Sequence, residues 1–225
     1  MKKIVFFLIA FISSSFNVNA QKGITKDFTI QGDLRLGANY LPLPGVYASK
    51  NMMLYTEIMA IHKTGLGIGY YAFDDFTKEA TGRIRYVDAV YDKKWKNYSL
   101  YSAARYLWYD NYSEGNCWKA YVIGTYKYNT WSFQFTPMFT YLPHKDTDKY
   151  GFMAYGKVMK DIFKDVNVYA TIWYDNLYNA NTHFYGVIGS TIAFPKSFYL
   201  TGNLLIKDKK AVFLLNVGWK FKTTN

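Results

Sequence analysis

The sequence predicts an all-β protein that closes into a transmembrane antiparallel barrel of about twelve strands, and three observations point to this fold class. A long stretch, residues 26–40, alternates between an apolar and a polar face. About eleven further segments repeat that period of two between short polar turns. The chain also opens with a pattern typical of an export signal. Together these features predict a barrel in an outer membrane of the Gram-negative type.

The first stretch sets the pattern for the chain. Its even positions are all apolar or small, and its odd positions are all polar or glycine. Aromatic residues, Phe28 and Tyr40, stand on the apolar face near both ends. At about 3.3 Å per residue and a tilt near 40°, they would stand roughly 30 Å apart, which matches a lipid-facing band with its girdles.

The beginning of the chain predicts export. Lys2 and Lys3 precede a hydrophobic run at residues 4–12, and Val18-Asn19-Ala20 resembles a small-residue cleavage site. We therefore divide the chain into a signal peptide, residues 1–20, and one barrel domain, residues 21–225. No later stretch approaches twenty consecutive apolar residues, which excludes a helical membrane protein.

Composition and charge narrow the class of partner. The chain contains 23 tyrosines and is 20% aromatic, and a barrel places such residues in girdles at the membrane interfaces. A net charge of +11 favours anionic solutes or lipid head groups, whereas an exported protein is a poor candidate for nucleic acid. The single cysteine, Cys117, rules out an internal disulfide and predicts a buried or lipid-facing thiol.

The later segments follow in regular order. Connections after odd-numbered strands are longer than those after even-numbered strands, except for the last, so both termini should lie on the periplasmic side. Ten strands is the alternative, if the third or the fourth segment merges with a neighbour. The predicted segments after the first span residues 51–61, 66–73, 82–91, 95–109, 117–128, 130–141, 150–162, 165–175, 183–194, 198–206 and 211–221.

The fourth segment is the least regular. The alternation places Arg83 and Arg85 inward, but Asp88 would then face lipid, and a bulge near Val87 would repair this. The residues that would point outward in this arrangement are Ile84, Tyr86 and Val90.

The last strand, from Ala211 to Phe221, alternates down to an aromatic residue. Its end, Gly218-Trp219-Lys220-Phe221, resembles the last-strand signal through which barrel-insertion machinery recognises outer-membrane proteins, although residues 222–225 follow it. The whole mature chain is similar to small bacterial outer-membrane β-barrel proteins. In size and strand number it resembles the monomeric channels for acidic oligosaccharides and for nucleosides, without residues specific to either.

Inward charges mark the candidate site. A basic arc in an open lumen would concentrate anions at the mouth of a pore. Alternatively, the acids of the lumen would pair with these basic groups and close the barrel as a salt-bridged plug. Both alternatives stay open at this point. The candidate selectivity residues are Arg83, Arg85, Arg105, Lys119 and Lys127, and the lumen acids are Asp33 and Glu57.

Inward tyrosines form a second candidate feature. Their rings would stack on sugar or base rings, or they would fill a narrow barrel with amphipathic bulk. The foremost of these lumen aromatics are Tyr55, Tyr101, Tyr121 and Tyr169.

Catalysis finds little support in the sequence. The histidines, His62, His144 and His183, fall in a turn, a loop and a strand end, and the His and Ser pair of a lipid-face enzyme is missing. No metal-ligand spacing or phosphate loop occurs, so we expect no enzyme and no cofactor. A soluble lipocalin-like carrier is a further alternative, which requires about eight strands with the apolar residues inside.

The sequence thus predicts a narrow passive channel for small anionic or sugar-like solutes. Its expected partners are outer-membrane lipid, small solutes and the insertion machinery. The runner-up is a non-conducting structural or adhesive barrel.

Overall fold

Twelve antiparallel strands make up the described part of the protein. The computed structural model describes residues 27–40, 48–75, 83–109, 116–146, 149–176, 183–207 and 210–223, so the predicted signal peptide lies outside the described residues. The strands are β1 Phe28–Tyr40, β2 Ala48–His62, β3 Leu66–Asp75, β4 Arg83–Lys94, β5 Tyr98–Tyr109, β6 Cys117–Tyr128, β7 Trp131–Tyr141, β8 Tyr150–Phe163, β9 Val166–Asp175, β10 His183–Ala193, β11 Phe198–Lys207 and β12 Lys210–Lys222.

The strands close into one barrel. Each strand pairs with its neighbours in sequence, and β12 returns to pair with β1 from Gln31 opposite Lys222 to Gly37 opposite Asn216. The predicted count of twelve is confirmed, and the ten-stranded alternative is wrong, because β3 and β4 are separate full-length strands. An eight-stranded lipocalin-like barrel does not fit this topology either.

The two ends of the barrel differ. We call the end that carries Phe28 and Lys222 the terminal end and the opposite end the loop end. Connections at the terminal end have two to four residues, whereas those at the loop end have seven or eight, apart from residues 208–209. This confirms the predicted alternation of short and long connections.

The outer wall of the barrel is apolar. Side chains alternate between inside and outside along each strand, and the outward set consists largely of exposed aliphatic and aromatic residues. Examples from different strands are Ile68, Phe135, Ile172, Phe184 and Phe213, all more than half exposed. These residues lie on the outward faces of β3, β7, β9, β10 and β12, as expected for strands with one apolar face. The helical part of the described structure is one 3-10 turn, Pro195–Ser197, which is far too short to cross a membrane.

The facing of β4 corrects the sequence prediction. Pairing with β3 and β5 is continuous through Val87, so the bulge proposed there is absent. Asp88 points inward, and Arg83 and Arg85 lie on the outer face at the loop end. The residues that share the inward face with Asp88, against prediction, are Ile84, Tyr86 and Val90.

The reason lies in the sequence of β4, which has apolar residues on both faces. Only the charges distinguish the two arrangements. Because Asp88 faces inward, it pairs with Arg105 on β5. Arg85 faces outward at the rim, where it binds the Asp74 carboxylate at 2.6 Å. It also donates to the carbonyl oxygens of Phe73 and Ile84 at 3.0 and 3.1 Å. Asp88 and Arg85 are therefore both paired in the observed arrangement.

Glycines inside the barrel let two tyrosines lie flat against the wall. The Tyr199 ring covers Gly218 and the Tyr169 ring covers Gly189, and neither glycine has room for a Cβ atom. Pairing a glycine with an aromatic ring on the next strand is a known device for shaping curved sheets. In this barrel it keeps both rings out of the central space.

Candidate functional site

The loop half of the interior is filled by side chains, which we call the packed layer. Eleven of the twelve strands contribute to it, and none of its members is more than 6% exposed. A water-filled passage at this level would wet the side chains around it, so the packed layer is closed to water. Its members are Met53, Tyr55, Tyr71, Phe73, Ile84, Tyr86, Asp88, Arg105, Leu107, Cys117, Lys119, Tyr121, Met138, Met153, Tyr155, Trp173, Tyr185, Val187, Leu205 and Leu214.

Arg105 and Asp88 form an ion pair within the packed layer. Arg105 Nε donates to Asp88 Oδ1 at 2.6 Å, and Nη2 donates to Oδ2 at 2.7 Å, which is the two-point geometry that arginine and carboxylate favour. Tyr121 joins the pair, because its hydroxyl accepts from Arg105 Nη2 at 3.0 Å and donates to Asp88 Oδ2 at 2.9 Å. We call these three residues the Arg105 unit.

Three tyrosine rings surround the guanidinium of the Arg105 unit. Its central carbon lies 4.4 Å from the Tyr86 ring centroid, 4.8 Å from Tyr71 and 5.1 Å from Tyr121. These are cation–π distances in a site without solvent, where such contacts are strongest. Arg105 is 1% exposed and Asp88 is 0% exposed, so losing either partner would leave the other charge buried alone.

The terminal half of the interior is different, because it holds an open polar cavity. The cavity has a volume of about 240 Å³, and we call it the vestibule. The residues that the structure describes around it include three cations but no aspartate or glutamate. They are Arg35, Lys157, Met159, Asn167, Tyr169, Thr171, Thr191, Tyr199, Thr201, Asn203, Asn216 and Lys220.

Arg35 lies at the edge of the vestibule and is only partly neutralised. Its Nη2 and Nε donate to Asp33 Oδ2 at 2.7 and 2.9 Å, and its side chain remains 20% exposed. Asp33 also accepts a hydrogen bond from the Tyr199 hydroxyl at 2.6 Å, while the Arg35 guanidinium stacks over Tyr55 at 4.5 Å. Arg35 is thus fixed in place with part of its guanidinium facing the cavity.

Two lysines supply further positive charge to the vestibule. Lys157 Nζ lies 4.0 Å from the Tyr169 ring centroid, and Lys220 Nζ lies 4.9 Å from that of Tyr199. In the described part of the chain, no carboxylate lies within salt-bridge distance of either amine. Their charge is therefore available to a solute or to water.

Hydroxyl and amide groups complete the lining. Tyr169 donates to Asn203 Oδ1 at 2.5 Å, and the Thr191 and Thr201 hydroxyls lie 3.1 Å apart. Asn216 Oδ1 is buried and has no hydrogen-bond partner among the described residues. This oxygen is an acceptor that a hydroxyl group of a bound solute could satisfy.

A second cavity leads from the vestibule toward the terminal end. It has a volume of about 440 Å³ and shares Arg35 and Lys220 with the vestibule. Its lining includes Asp33 and Glu57, so both signs of charge occur there. Glu57 accepts a hydrogen bond from the Tyr55 hydroxyl. The terminal half thus forms a continuous polar region.

The predicted basic arc is not assembled as expected. Arg105 and Lys119 do point inward in the loop half, but both are buried in the packed layer. Lys127 also points inward, at the terminal end of β6, and is exposed. The inward placement of Arg83 and Arg85 is wrong. Arg105 pairs with Asp88 and not with the two acids that the sequence had offered, Asp33 and Glu57.

The cations of the vestibule were missed, although the alternation places them. Arg35 belongs to the polar face of the first stretch, and Lys220 lies between two outward aromatics of the last strand. Lys157 has the same parity as the buried Tyr155. The signal was therefore present, but no single segment shows that β1, β8 and β12 face one cavity.

The four foremost tyrosines divide between the two regions. Tyr121 belongs to the Arg105 unit, and Tyr101 bonds the Tyr71 hydroxyl at 3.1 Å beside it. Tyr55 belongs to the packed layer and its ring contacts the Arg35 guanidinium, whereas Tyr169 lines the vestibule. They serve mainly as packing in the loop half and as wall in the terminal half.

Catalytic and metal-binding groupings are absent from the described residues. No cluster of three or more His, Cys, Asp or Glu side chains occurs there that could hold a metal ion. His62 Nδ1 lies 2.9 Å from the Thr64 hydroxyl in an exposed turn, and His144 is exposed. Cys117 is buried, as predicted.

Comparison with known proteins gives a match in fold. No protein-family model and no curated protein sequence matches the chain. The solved KdgM porin is similar with a TM-score of 0.62 and 11% identity, over 86% of this chain and 99% of that one. A KdgM porin in complex with disordered oligogalacturonate has a TM-score of 0.60 and 12% identity, over 86% of this chain and 99% of that one. The NanC porin has a TM-score of 0.55 and 11% identity, over 88% of this chain and 99% of that one. The chain therefore has the fold of these outer-membrane porins, and its described residues form a closed barrel of twelve antiparallel strands.

Proposed function

We propose that the protein is an outer-membrane barrel that serves as a narrow passive channel for small anionic or sugar-like solutes. The observation that carries this proposal is the vestibule, where Arg35, Lys157 and Lys220 face a cavity lined otherwise by neutral side chains. Fixed positive charge in a confined polar space attracts anions and repels cations. Hydroxyl and amide groups beside it suit the hydroxyls of a sugar-like solute.

The outer wall supports the membrane placement. Exposed aliphatic residues cover the middle of the wall, and outward aromatic rings contact each other near both ends, for example Tyr106 with Trp118 at 4.7 Å and Tyr98 with Tyr126 at 4.8 Å. Such rings fit the girdles at the two membrane interfaces. After cleavage of the signal peptide, the terminal end would face the periplasm and the loop end the exterior.

One of the fold neighbours supports the choice of solute class. It was solved in complex with oligogalacturonate, a carboxylate-bearing sugar chain. The cations and hydroxyls of the vestibule offer partners for such chemistry in this chain, on residues of its own. Catalysis forms no part of the proposal.

Planar-bilayer current under a salt gradient tests the channel. We expect discrete steps with anion preference from the wild type, and a clear loss of that preference in the double variant Lys157→Gln/Lys220→Gln. Arg83→Gln is the matched control, because it removes one cation from the outer wall and should leave the reversal potential unchanged. Cation preference in the wild type would contradict the role of the vestibule.

The packed layer favours a second candidate, a non-conducting structural barrel. A layer closed to water blocks solutes unless its side chains move. Current silence from protein shown to be folded by heat-shifted gel mobility would support this candidate. Extraction of native protein without detergent would contradict both candidates.

A further inference from the structure

We infer that the Arg105 unit is the constriction of the channel, and that Asp88 is the residue on which its closure depends. This inference rests on the proposed function, because a constriction has meaning only in a conduit. It assigns a specific role in solute passage to three buried residues, Asp88, Arg105 and Tyr121, which lie on three adjacent strands, β4, β5 and β6.

The position of the unit supports the inference. Rings connect it to the neighbouring wall, since Tyr86 lies 5.5 Å from Phe73, which in turn lies 4.6 Å from Tyr55. Tyr71, which also faces the guanidinium, bonds Tyr101. Arg105 is thus the centre around which the aromatic rings that β2, β3, β4 and β6 contribute to the packed layer are arranged.

The electrostatics of the unit identify Asp88 as the decisive member. A guanidinium keeps its charge at any pH at which a protein is folded, so Arg105 can remain dry only while a carboxylate balances it. The other buried members beside it are tyrosines and Lys119, which stands opposite Arg105 in the pairing of β5 with β6 and adds positive charge, so Asp88 is the carboxylate bonded to Arg105. If Asp88 loses its charge, the guanidinium must recruit water into the packed layer.

Water entry would also separate the rings that close the layer. The three tyrosine rings are held at cation–π distance by a desolvated guanidinium, and hydration weakens that attraction. An apolar pair in place of Asp88 and Arg105 has no such need for water. Charge imbalance should therefore open the layer, whereas removal of both charges should keep it closed.

The buried Cys117 provides a built-in reporter. It lies on the inward face of β6, four residues from Tyr121, and is 0% exposed. The rate at which a small water-soluble maleimide labels it in the folded protein measures water access to the packed layer. This readout does not depend on current.

The experiment compares wild type, Asp88→Asn and the double variant Asp88→Leu/Arg105→Leu, each checked for folding by heat-shifted gel mobility. We expect Asp88→Asn to raise the labelling rate about tenfold or more, the factor that corresponds to a modest shift toward a locally open state, and to raise the bilayer conductance. The double variant should label as slowly as the wild type. An unchanged labelling rate in folded Asp88→Asn overturns the inference.

The two readouts separate the constriction from the channel. If wild type conducts and Asp88→Asn changes neither current nor labelling, the channel stands and the constriction lies elsewhere. If labelling rises while all variants remain silent, the closure role stands and the channel proposal fails. Should Asp88→Asn not fold, Tyr121→Phe decides, because it keeps the ion pair but removes the hydroxyl that bridges it. A faster labelling rate is then expected, and an unchanged rate overturns the inference.

Discussion

Charge is held in opposite ways in the two halves of the barrel. In the packed layer, Arg105 is fully enclosed and bonded by Asp88 and Tyr121, whereas in the vestibule Arg35 is partly exposed and Lys157 has no described carboxylate partner. The first arrangement uses the cation as a structural element, while the second leaves it available to a solute. An inward cation is thus not by itself evidence for a binding site. The groups that surround an inward cation determine whether it can bind a solute.

Removal of one arginine from each half should give the largest contrast. Arg105→Leu leaves the buried Asp88 carboxylate without its cation and should lower the free energy of unfolding by about 3–5 kcal/mol. Arg35→Leu should cost less, about 1–3 kcal/mol, because the Asp33 carboxylate, although only 5% exposed, keeps its hydrogen bond from the Tyr199 hydroxyl and lines the cavity at the terminal end. Urea unfolding of the protein refolded in lipid vesicles measures both. Equal losses would contradict the division of the interior.

Truncation of one large aromatic in each half should give the next contrast. Trp173 is 0% exposed and packs on Tyr155 with ring centroids 4.3 Å apart, so Trp173→Ala should cost about 3–5 kcal/mol. Tyr169 lies against the vestibule wall, and Tyr169→Ala should cost about 1–2 kcal/mol. The same unfolding measurement applies. A Trp173 variant as stable as wild type would mean that the layer is loosely packed.

The tyrosine that lies flat over Gly218 gives a third test. Gly218→Val leaves no room for the Tyr199 ring, so the ring must swing into the vestibule and lose its bond to Asp33. We expect a loss of about 1–3 kcal/mol and a smaller conductance. Gly156→Ala is the control, since nothing lies within 4 Å of its added Cβ, and it should change stability by less than about 0.5 kcal/mol.

Two asparagines of the vestibule offer the smallest and most discriminating comparison. Asn203 accepts a hydrogen bond from the Tyr169 hydroxyl, so Asn203→Leu should lower the free energy of unfolding by about 1 kcal/mol. Asn216→Leu removes a buried oxygen that has no described partner, so it should leave the stability unchanged or raise it slightly. If Asn216→Leu leaves stability intact but weakens solute block of the current, the asparagine serves the solute. A clear loss of stability would indicate a structural bond at that oxygen instead.

The sequence was sufficient for the strands but not for the interior. Segment 117–128 was predicted with the same bounds as β6, because a period of two in a chain with one lipid-facing side leaves little freedom of register. β4 has apolar residues on both faces, so its facing depends on the ion pair between Asp88 and Arg105, which lie seventeen residues apart in the sequence. That choice is made by contacts between strands.

The same limit explains the site. Arg35, Lys157 and Lys220 come from strands that are distant in sequence, and the depth at which each cation lies depends on side chains from the opposite wall. Alternation gives the direction of a side chain, but not whether water reaches it. The distinction between the packed layer and the vestibule therefore required the closed barrel.

The seam between the first and last strands constrains the order in which the protein can assemble. Ile30 N–H donates to the Thr223 hydroxyl at 3.0 Å and Thr223 N–H donates to the Ile30 carbonyl at 2.8 Å, across 193 residues of chain. Until β12 arrives, the free edge of β1 is a template for any other strand, including one from a second copy. A chain that lacks β12 would thus expose this edge to pairing with other chains, and arrival of the final strand both removes the edge and completes the barrel.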